Sequence, residues 1–170
     1  GGGFIGLEMA ENLHHTGIRV SIVEMGNQVM SPIDFSMASL VHKQLQEKGI
    51  QLFLGQTVES FTDNSGKVTV HLKSGIKLES DMVLLSIGVK AETTLAQKAG
   101  LRLGEMQGIY VNKHMQTSDE NIYAVGDAIE YPHPTTGKPW LNFLAGPANR
   151  QARIAADNMV FGNVLSYEGS

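Results

Sequence analysis

The 170-residue chain contains no cysteine. That excludes disulfides, thiolate metal ligands and a thiol nucleophile among these residues, whatever the redox state of the compartment. No apolar run approaches the roughly 18 to 20 residues that a membrane-spanning helix needs. The glycine-rich start also lacks the basic residues that open a secretion signal. A cytoplasmic location without a membrane partner is expected. Runs of lysine and arginine are missing as well: 13 basic residues are scattered among 17 acidic ones, for a net charge of -4. Nothing would neutralise a row of phosphates, so no nucleic-acid partner is expected. The six histidines, His14, His15, His42, His71, His114 and His133, form no H-E-x-x-H pattern and no cluster with acidic residues at ligand spacing. No metal site is expected, and the histidines read as scattered core or surface residues.

What is present is the composition of a folded domain, 42% hydrophobic and 18% charged, enough for one core and part of a second. The chain opens on glycines and continues with Ile5, Met9 and Leu13 four apart, which predicts a helix to Thr16 that stops at Gly17. The β-branched stretch 18–24 predicts a buried strand ending in Glu24. Ala38, Val41 and Leu45 predict a second helix over 34–48, with Asp34 able to cap it and Gly49 to end it. Ile50, Leu52 and Leu54 alternate as a strand. Strand-like pieces at 58–61, 68–72 and 76–78, separated by Asp63-Asn64-Ser65-Gly66 and Ser74-Gly75, predict an antiparallel meander. The nearly continuous apolar run 82–88, closed by Gly88, predicts a central parallel strand buried on both faces. A second unit is expected from about residue 108, with strands at 109–111 and 122–125, a proline-rich loop to Trp140, and a helix over 148–161. In that helix Ile154, Asn158 and Phe161, or Ala155 and Met159, form the inner stripe.

Gly1, Gly3 and Gly6 fit G-x-G-x-x-G. In that pattern the first glycine permits a tight turn, the second lets a pyrophosphate approach the backbone, and the third lets the helix pack close to its strand. The unpaired N–H groups of the helix start then face the phosphates. Glu24 ends the next strand, where a carboxylate can accept hydrogen bonds from ribose hydroxyls and repel the extra phosphate of NADPH. NADH is therefore the favoured cofactor. The loop should follow a parallel strand, yet the chain begins on the first glycine, and a shortened chain is the simplest expectation. The second constellation is an apolar stretch ending in Gly126-Asp127, with the carboxylate at a strand end where sheet proteins place ligands.

Thr117, Ile122-Tyr123-Ala124 and Gly126-Asp127 match T-x-x-x-x-I-Y-A-x-G-D, which resembles the second FAD motif of the pyridine nucleotide-disulfide oxidoreductases. The opening Gly1-Gly2-Gly3-Phe4-Ile5-Gly6, with Glu8 two residues on, resembles the start of that family's NAD(P)H domain. The resemblance covers essentially the whole chain. It implies an α/β fold: a Rossmann-like NAD(P)-binding domain with an antiparallel meander at 1–107, then part of a split FAD-binding domain at 108–170. It further implies that Asp127 hydrogen-bonds the flavin's ribityl chain, that Glu8 lies near the nicotinamide pocket, and that Ser86-Ile87-Gly88 lies beside the nicotinamide cofactor. Val23 to Met30, and Leu144-Ala145-Gly146-Pro147-Ala148-Asn149-Arg150-Gln151, are similar to coenzyme A disulfide reductases, above all those with an appended rhodanese domain. Ala145 would then lie beside the flavin, with Asn149 and Arg150 as candidates for substrate contact. Arg150 as an ordinary surface cation is the alternative. The family's reaction passes electrons from NAD(P)H through FAD to a cysteine that reduces a disulfide, persulfide or peroxide, usually in a homodimer. This chain carries no catalytic residue for the thiol step and is expected to be inactive alone. NADH oxidase or peroxidase activity, and a non-catalytic dinucleotide-binding module, are the competing readings.

Overall fold

The computed structural model describes residues 1–169. They form two compact units, Gly1–Gly88 and Val89 onward, so the expected boundary at 107/108 falls inside the second unit. No helix is long and apolar enough to cross a membrane among the described residues.

In the first unit, α1 (Phe4–His15) leads into β1 (Ser21–Val23), and α2 (Phe35–Glu47) leads into β2 (Gln51–Phe53). The two strands pair in parallel, Ser21 opposite Gln51 and Val23 opposite Phe53. The inner stripe of α1 differs from the expected one. Gly6 and Ala10 are buried, whereas Ile5 and Met9 are 55% and 37% exposed. Small residues on the strand side let the helix approach closely, and that proximity turns the larger side chains outward. Ala10, Ile22 and Ile50 form the buried core here, with Leu7, Val20, Leu45 and Leu52 packed against it. Asp34 occupies the position before α2 but makes no side-chain cap. Its backbone carbonyl accepts instead from Met37 and Ala38. Gly49 takes φ +81, the left-handed value that ends a helix.

The meander forms as the turn clusters predict. β3 (Val58–Asn64), β4 (Lys67–Leu72) and β5 (Lys77–Ser80) pair antiparallel in chain order. The third strand starts one residue later than the sequence suggests. The run 82–88 forms no strand at all, and Met82, Leu85 and Ile87 are 59%, 64% and 82% exposed. Apolar, β-branched composition supplies a tendency, but a strand exists only against a hydrogen-bonded neighbour. None pairs with this run among the described residues.

The second unit begins with α3 (Thr94–Lys98), five residues too short to leave a periodic signal. β6 (Ile109–Tyr110) pairs parallel with β7 (Ile129–Pro132), which pairs antiparallel with β8 (Pro139–Trp140). The stretch expected to be a proline-rich loop thus contains two short strands. Pro132 and Pro139 face each other at the end of the ladder, where an absent N–H breaks nothing. The expected strand at 122–125 is reduced to a bridge between Gln116 and Tyr123, made by bonds from Ala124 N–H to the Met115 carbonyl and from Thr117 N–H to the Ile122 carbonyl. α4 (Ala145–Phe161) starts earlier than expected, with Pro147 in its first turn, where helix N–H groups have no intrahelical acceptor. Gln151, Ile154, Ala155 and Asn158 face inward. Met159 and Phe161, expected inside, are 61% and 69% exposed. The core of this unit contains Val111, Met115, Ile129, Tyr131, Ile154, Ala155 and Tyr167.

Candidate functional site

The glycine loop of the first unit is shaped by two contacts within the chain and one opening. A Cβ on Gly1 would run into the carbonyl oxygen of Ser86, and a Cβ on Gly6 would run into the carbonyl oxygen of Gly1. Both glycines are therefore required by packing. Gly3 is different: it is exposed, its φ is an ordinary -78, and no atom beyond its own chain neighbours lies within 4 Å of where its Cβ would stand. Neither backbone strain nor crowding within the chain explains the missing side chain. Gly3 sits at the start of α1, where the first N–H groups have no acceptor within the helix. Phe4 and Ile5 flank the opening and are 56% and 55% exposed.

Glu24 follows β1 and is half-buried. Its Oε2 accepts from Gly2 N–H at 2.6 Å and its Oε1 from Gly26 N–H at 2.7 Å. Burial alone would raise its pKa; the Gly26 and Gly2 N–H groups, together with the positive charge at Gly1 and the Met25 N–H, outweigh burial and hold the carboxyl below the usual 4.5. A carboxylate has about four acceptor positions, so two remain for ligand hydroxyls. The loop after Glu24 closes back on the glycines, with Met30 N–H donating to the Gly2 carbonyl at 2.8 Å. Gly2 and Met30 were not singled out by sequence, because backbone donors and acceptors carry no residue signature.

The other candidates of this unit are placed less tightly. Glu8 is exposed on α1, and its backbone carbonyl takes the Asn12 amide at 2.7 Å. Ile87 is 82% exposed, and Gly88 has φ +104, a value that side chains rarely adopt.

In the second unit, Thr117 and Asp119 build the turn that leads into the motif. Asp119 N–H donates to the Thr117 hydroxyl at 3.1 Å, and Asn121 N–H donates to Asp119 at 2.9 Å. Gly126 turns the chain at φ +75. Its N–H donates to Oε1 of Gln151 at 2.8 Å, so a buried amide of α4 fixes the turn. Asp127 follows, exposed, and its carboxylate has no hydrogen-bond or ionic partner among the described residues. Ala145 is the exposed first residue of α4, and its carbonyl accepts from the Asn149 amide at 3.1 Å. The Arg150 guanidinium lies 5.9 Å from the Tyr167 ring centre, so at least part of its role is packing. The Tyr167 ring also meets Tyr131 edge-on, and the Tyr131 hydroxyl is pushed up to about 12 by burial and by its hydrogen bond with Tyr167. Sequence reasoning also passed over Glu130, which is buried and accepts from Met106 N–H at 2.7 Å and Gly108 N–H at 3.3 Å. No group of three or more potential metal ligands occurs among the described residues.

These positions fit both nucleotide cofactors to different degrees. The opening above Gly3 and the spare acceptors of Glu24 suit a dinucleotide with a pyrophosphate and a ribose diol. Asp127 and Gly126 offer one acceptor and a closely approachable backbone to a flavin.

Residues 1–145 match the pyridine nucleotide-disulphide oxidoreductase family. The chain is 39% identical over 94% of its length to an NADH oxidase of Methanocaldococcus jannaschii, covering 35% of that protein. Among solved structures, reduced CoADR-RHD of Bacillus anthracis superposes with a TM-score of 0.94 at 46% identity, over the whole chain and 30% of that structure. The NAD-dependent persulfide reductase of A. fulgidus superposes at 0.95 with 37% identity, over 99% of the chain and 31% of that structure. The chain thus spans about a third of these relatives. On the glycine loop, the Gly-Asp turn and this match over most of its length, the chain belongs to the pyridine nucleotide-disulphide oxidoreductase family.

Proposed function

We propose that the chain supplies the NAD(P)H-binding domain (1–107) and the second segment of the FAD-binding domain (108–170) of a flavoprotein oxidoreductase. The whole enzyme moves electrons from NAD(P)H through FAD to a cysteine that reduces coenzyme A disulfide or a related disulfide or persulfide. The observation that carries the dinucleotide part is Gly3, a glycine that nothing within the chain requires and that leaves room for a pyrophosphate at a helix start.

In this reading Gly1 and Gly6 shape the loop, Gly3 admits the phosphates, and Glu24 holds the adenosine ribose with its spare acceptors. The carboxylate would also repel a 2′-phosphate, which favours NADH over NADPH. Glu8, Ile87 and Gly88 lie toward the nicotinamide, with Phe4 and Ile5 at the loop. Asp127 accepts from the flavin's ribityl chain, Gly126 lets the flavin approach, and Ala145 stands beside it. FAD, when bound, supplies the hydride-accepting and electron-passing chemistry. Asn149 and Arg150 contact the acceptor substrate. The 170 residues hold no thiol, so the sulfur chemistry is done elsewhere than in these residues, and the chain alone does not turn over. The whole enzyme works as a cytoplasmic homodimer.

An NADH oxidase or peroxidase is the second reading, favoured by the similarity to an enzyme of that name. Steady-state kinetics of the whole enzyme with coenzyme A disulfide, coenzyme A persulfide, oxygen and hydrogen peroxide decide between the two. The reading expects the highest kcat/KM with a coenzyme A substrate and with NADH. A chain that neither binds NADH in calorimetry nor retains flavin in its whole enzyme would sink both.

A further inference from the structure

His42 lies outside every motif, yet it touches the segment that shapes the glycine loop. Its Nε2 is 3.1 Å from the backbone nitrogen of Val29. A backbone N–H can only donate, so Nε2 presents a lone pair, the ring proton sits on Nδ1, and the imidazole is neutral. Phe35, on the same helix, meets the ring edge-on with 6.1 Å between centroids. Val29, held in this way, is fully buried. It closes the space beside Gly2: a Cβ there would come within 2.8 Å of Val29 Cγ1. The next residue, Met30, bonds the Gly2 carbonyl, while Glu24 takes the Gly2 N–H. Gly2 is therefore gripped on both polar groups and on its α-carbon, next to the open Gly3.

We propose that His42 is a positioning residue for dinucleotide binding: as a neutral acceptor it pins Val29, and through Val29 and Met30 it fixes Gly2, which joins the phosphate opening at Gly3 to the ribose acceptor Glu24. The inference rests on the dinucleotide reading above and adds a requirement to it, that the ring be uncharged. The charged groups on the elements around the ring are Glu24 after β1, Asp34 before α2, and Lys43 and Glu47 along α2. Lys43 and Glu47 are exposed and pair with each other at 3.8 Å. Glu24 faces Gly2 and Gly26. None of the four bonds the imidazole among the described residues. Protonation would replace the acceptor by a second donor opposed to the Val29 N–H, and the segment would lose its hold on Gly2.

Calorimetric titration of NAD+, which carries the same adenosine and pyrophosphate as NADH, into the full chain tests this. His42→Leu should weaken binding by about three- to tenfold, the effect of one backbone hydrogen bond. His42→Gln, whose amide oxygen accepts, should stay within about twofold of the wild type. On acidification from pH 8 the wild type should lose affinity by a similar factor while His42→Gln holds level. Should His42→Leu fail to fold, the pH comparison of wild type with His42→Gln still decides. A wild type whose affinity is independent of pH, a His42→Gln chain that tracks it, or a folded His42→Leu chain that binds like it would overturn the inference alone. A wild type that binds no NAD+ at pH 8 would overturn the dinucleotide reading, and the inference with it.

Discussion

Glu24 and Asp127 are both acidic residues at the end of an apolar stretch, one in each compact unit, and the structure treats them differently. Glu24 is half-buried with both oxygens engaged by backbone N–H groups. Asp127 stands exposed, without a partner among the described residues, on a turn that Gln151 holds through Gly126. One carboxylate braces its own loop while keeping acceptors free; the other has no duty within the chain. The same contrast separates Gly6, which packing requires, from Gly3, which it does not. A residue whose type the fold itself does not need, such as Gly3 or Asp127, points to a ligand, and Glu24 combines a structural duty with spare acceptors.

That contrast can be broken in several ways. The largest expected effect is at Glu24. Glu24→Ala removes the proposed ribose acceptor and strands two loop N–H groups, so NAD+ affinity should drop by at least about tenfold, with faster amide exchange at Gly2 and Gly26. Unchanged affinity would deny Glu24 both roles. Gly126→Ala comes next. Its Cβ would meet Ala148 Cβ at an ordinary 3.6 Å, so the cost comes from placing a side chain at φ +75. A loss of about 1 kcal/mol in urea unfolding is expected, and a neutral result would mean that the turn relaxes freely.

A smaller effect is expected in acid. The folded-state pKa of Glu24 is lowered, so the stability it contributes is present above the ordinary value of 4.5 and is lost as pH falls through the lower folded value. Its partial exposure keeps the effect modest. Unfolding midpoints of the wild type and Glu24→Gln should converge toward acid, and parallel curves would count against the assignment. The smallest effect is at Asp127: Asp127→Asn should leave the stability of the chain within about 0.5 kcal/mol of the wild type. A larger loss would show that Asp127 has a structural partner after all.

Much of this arrangement was legible in the residues. Turn chemistry at Asn64, Ser65 and Gly66, and at Ser74 and Gly75, placed the meander, and glycine spacing picked out Gly1 and Gly6, which packing requires, along with the open Gly3. Periodicity misplaced the inner face of α1, because Gly6 and Ala10 bury without any apolar bulk to announce them. It also made a strand of 82–88, since apolar composition records a preference for burial and cannot report whether a neighbouring strand is there to pair with. Glu130 and Gln151 went unnoticed for a third reason: each is a buried polar group whose partners are backbone N–H groups brought near by folding, Met106 and Gly108 for one and Gly126 for the other. His42 joined a list of scattered histidines, and only the three-dimensional approach of its ring to Val29 gives it work.

The bracing of Gly2 and Gly26 by Glu24 constrains how this domain could change its diet of cofactors. On the proposed reading, a lineage or an engineer seeking NADPH use would remove the carboxylate to welcome the extra phosphate, and in the same stroke would loosen the glycine loop that Glu24 braces. A successful switch therefore has to arrive as a set of substitutions, with a new prop for the glycine loop among them, and a single replacement at position 24 leads through a poor binder of either nucleotide.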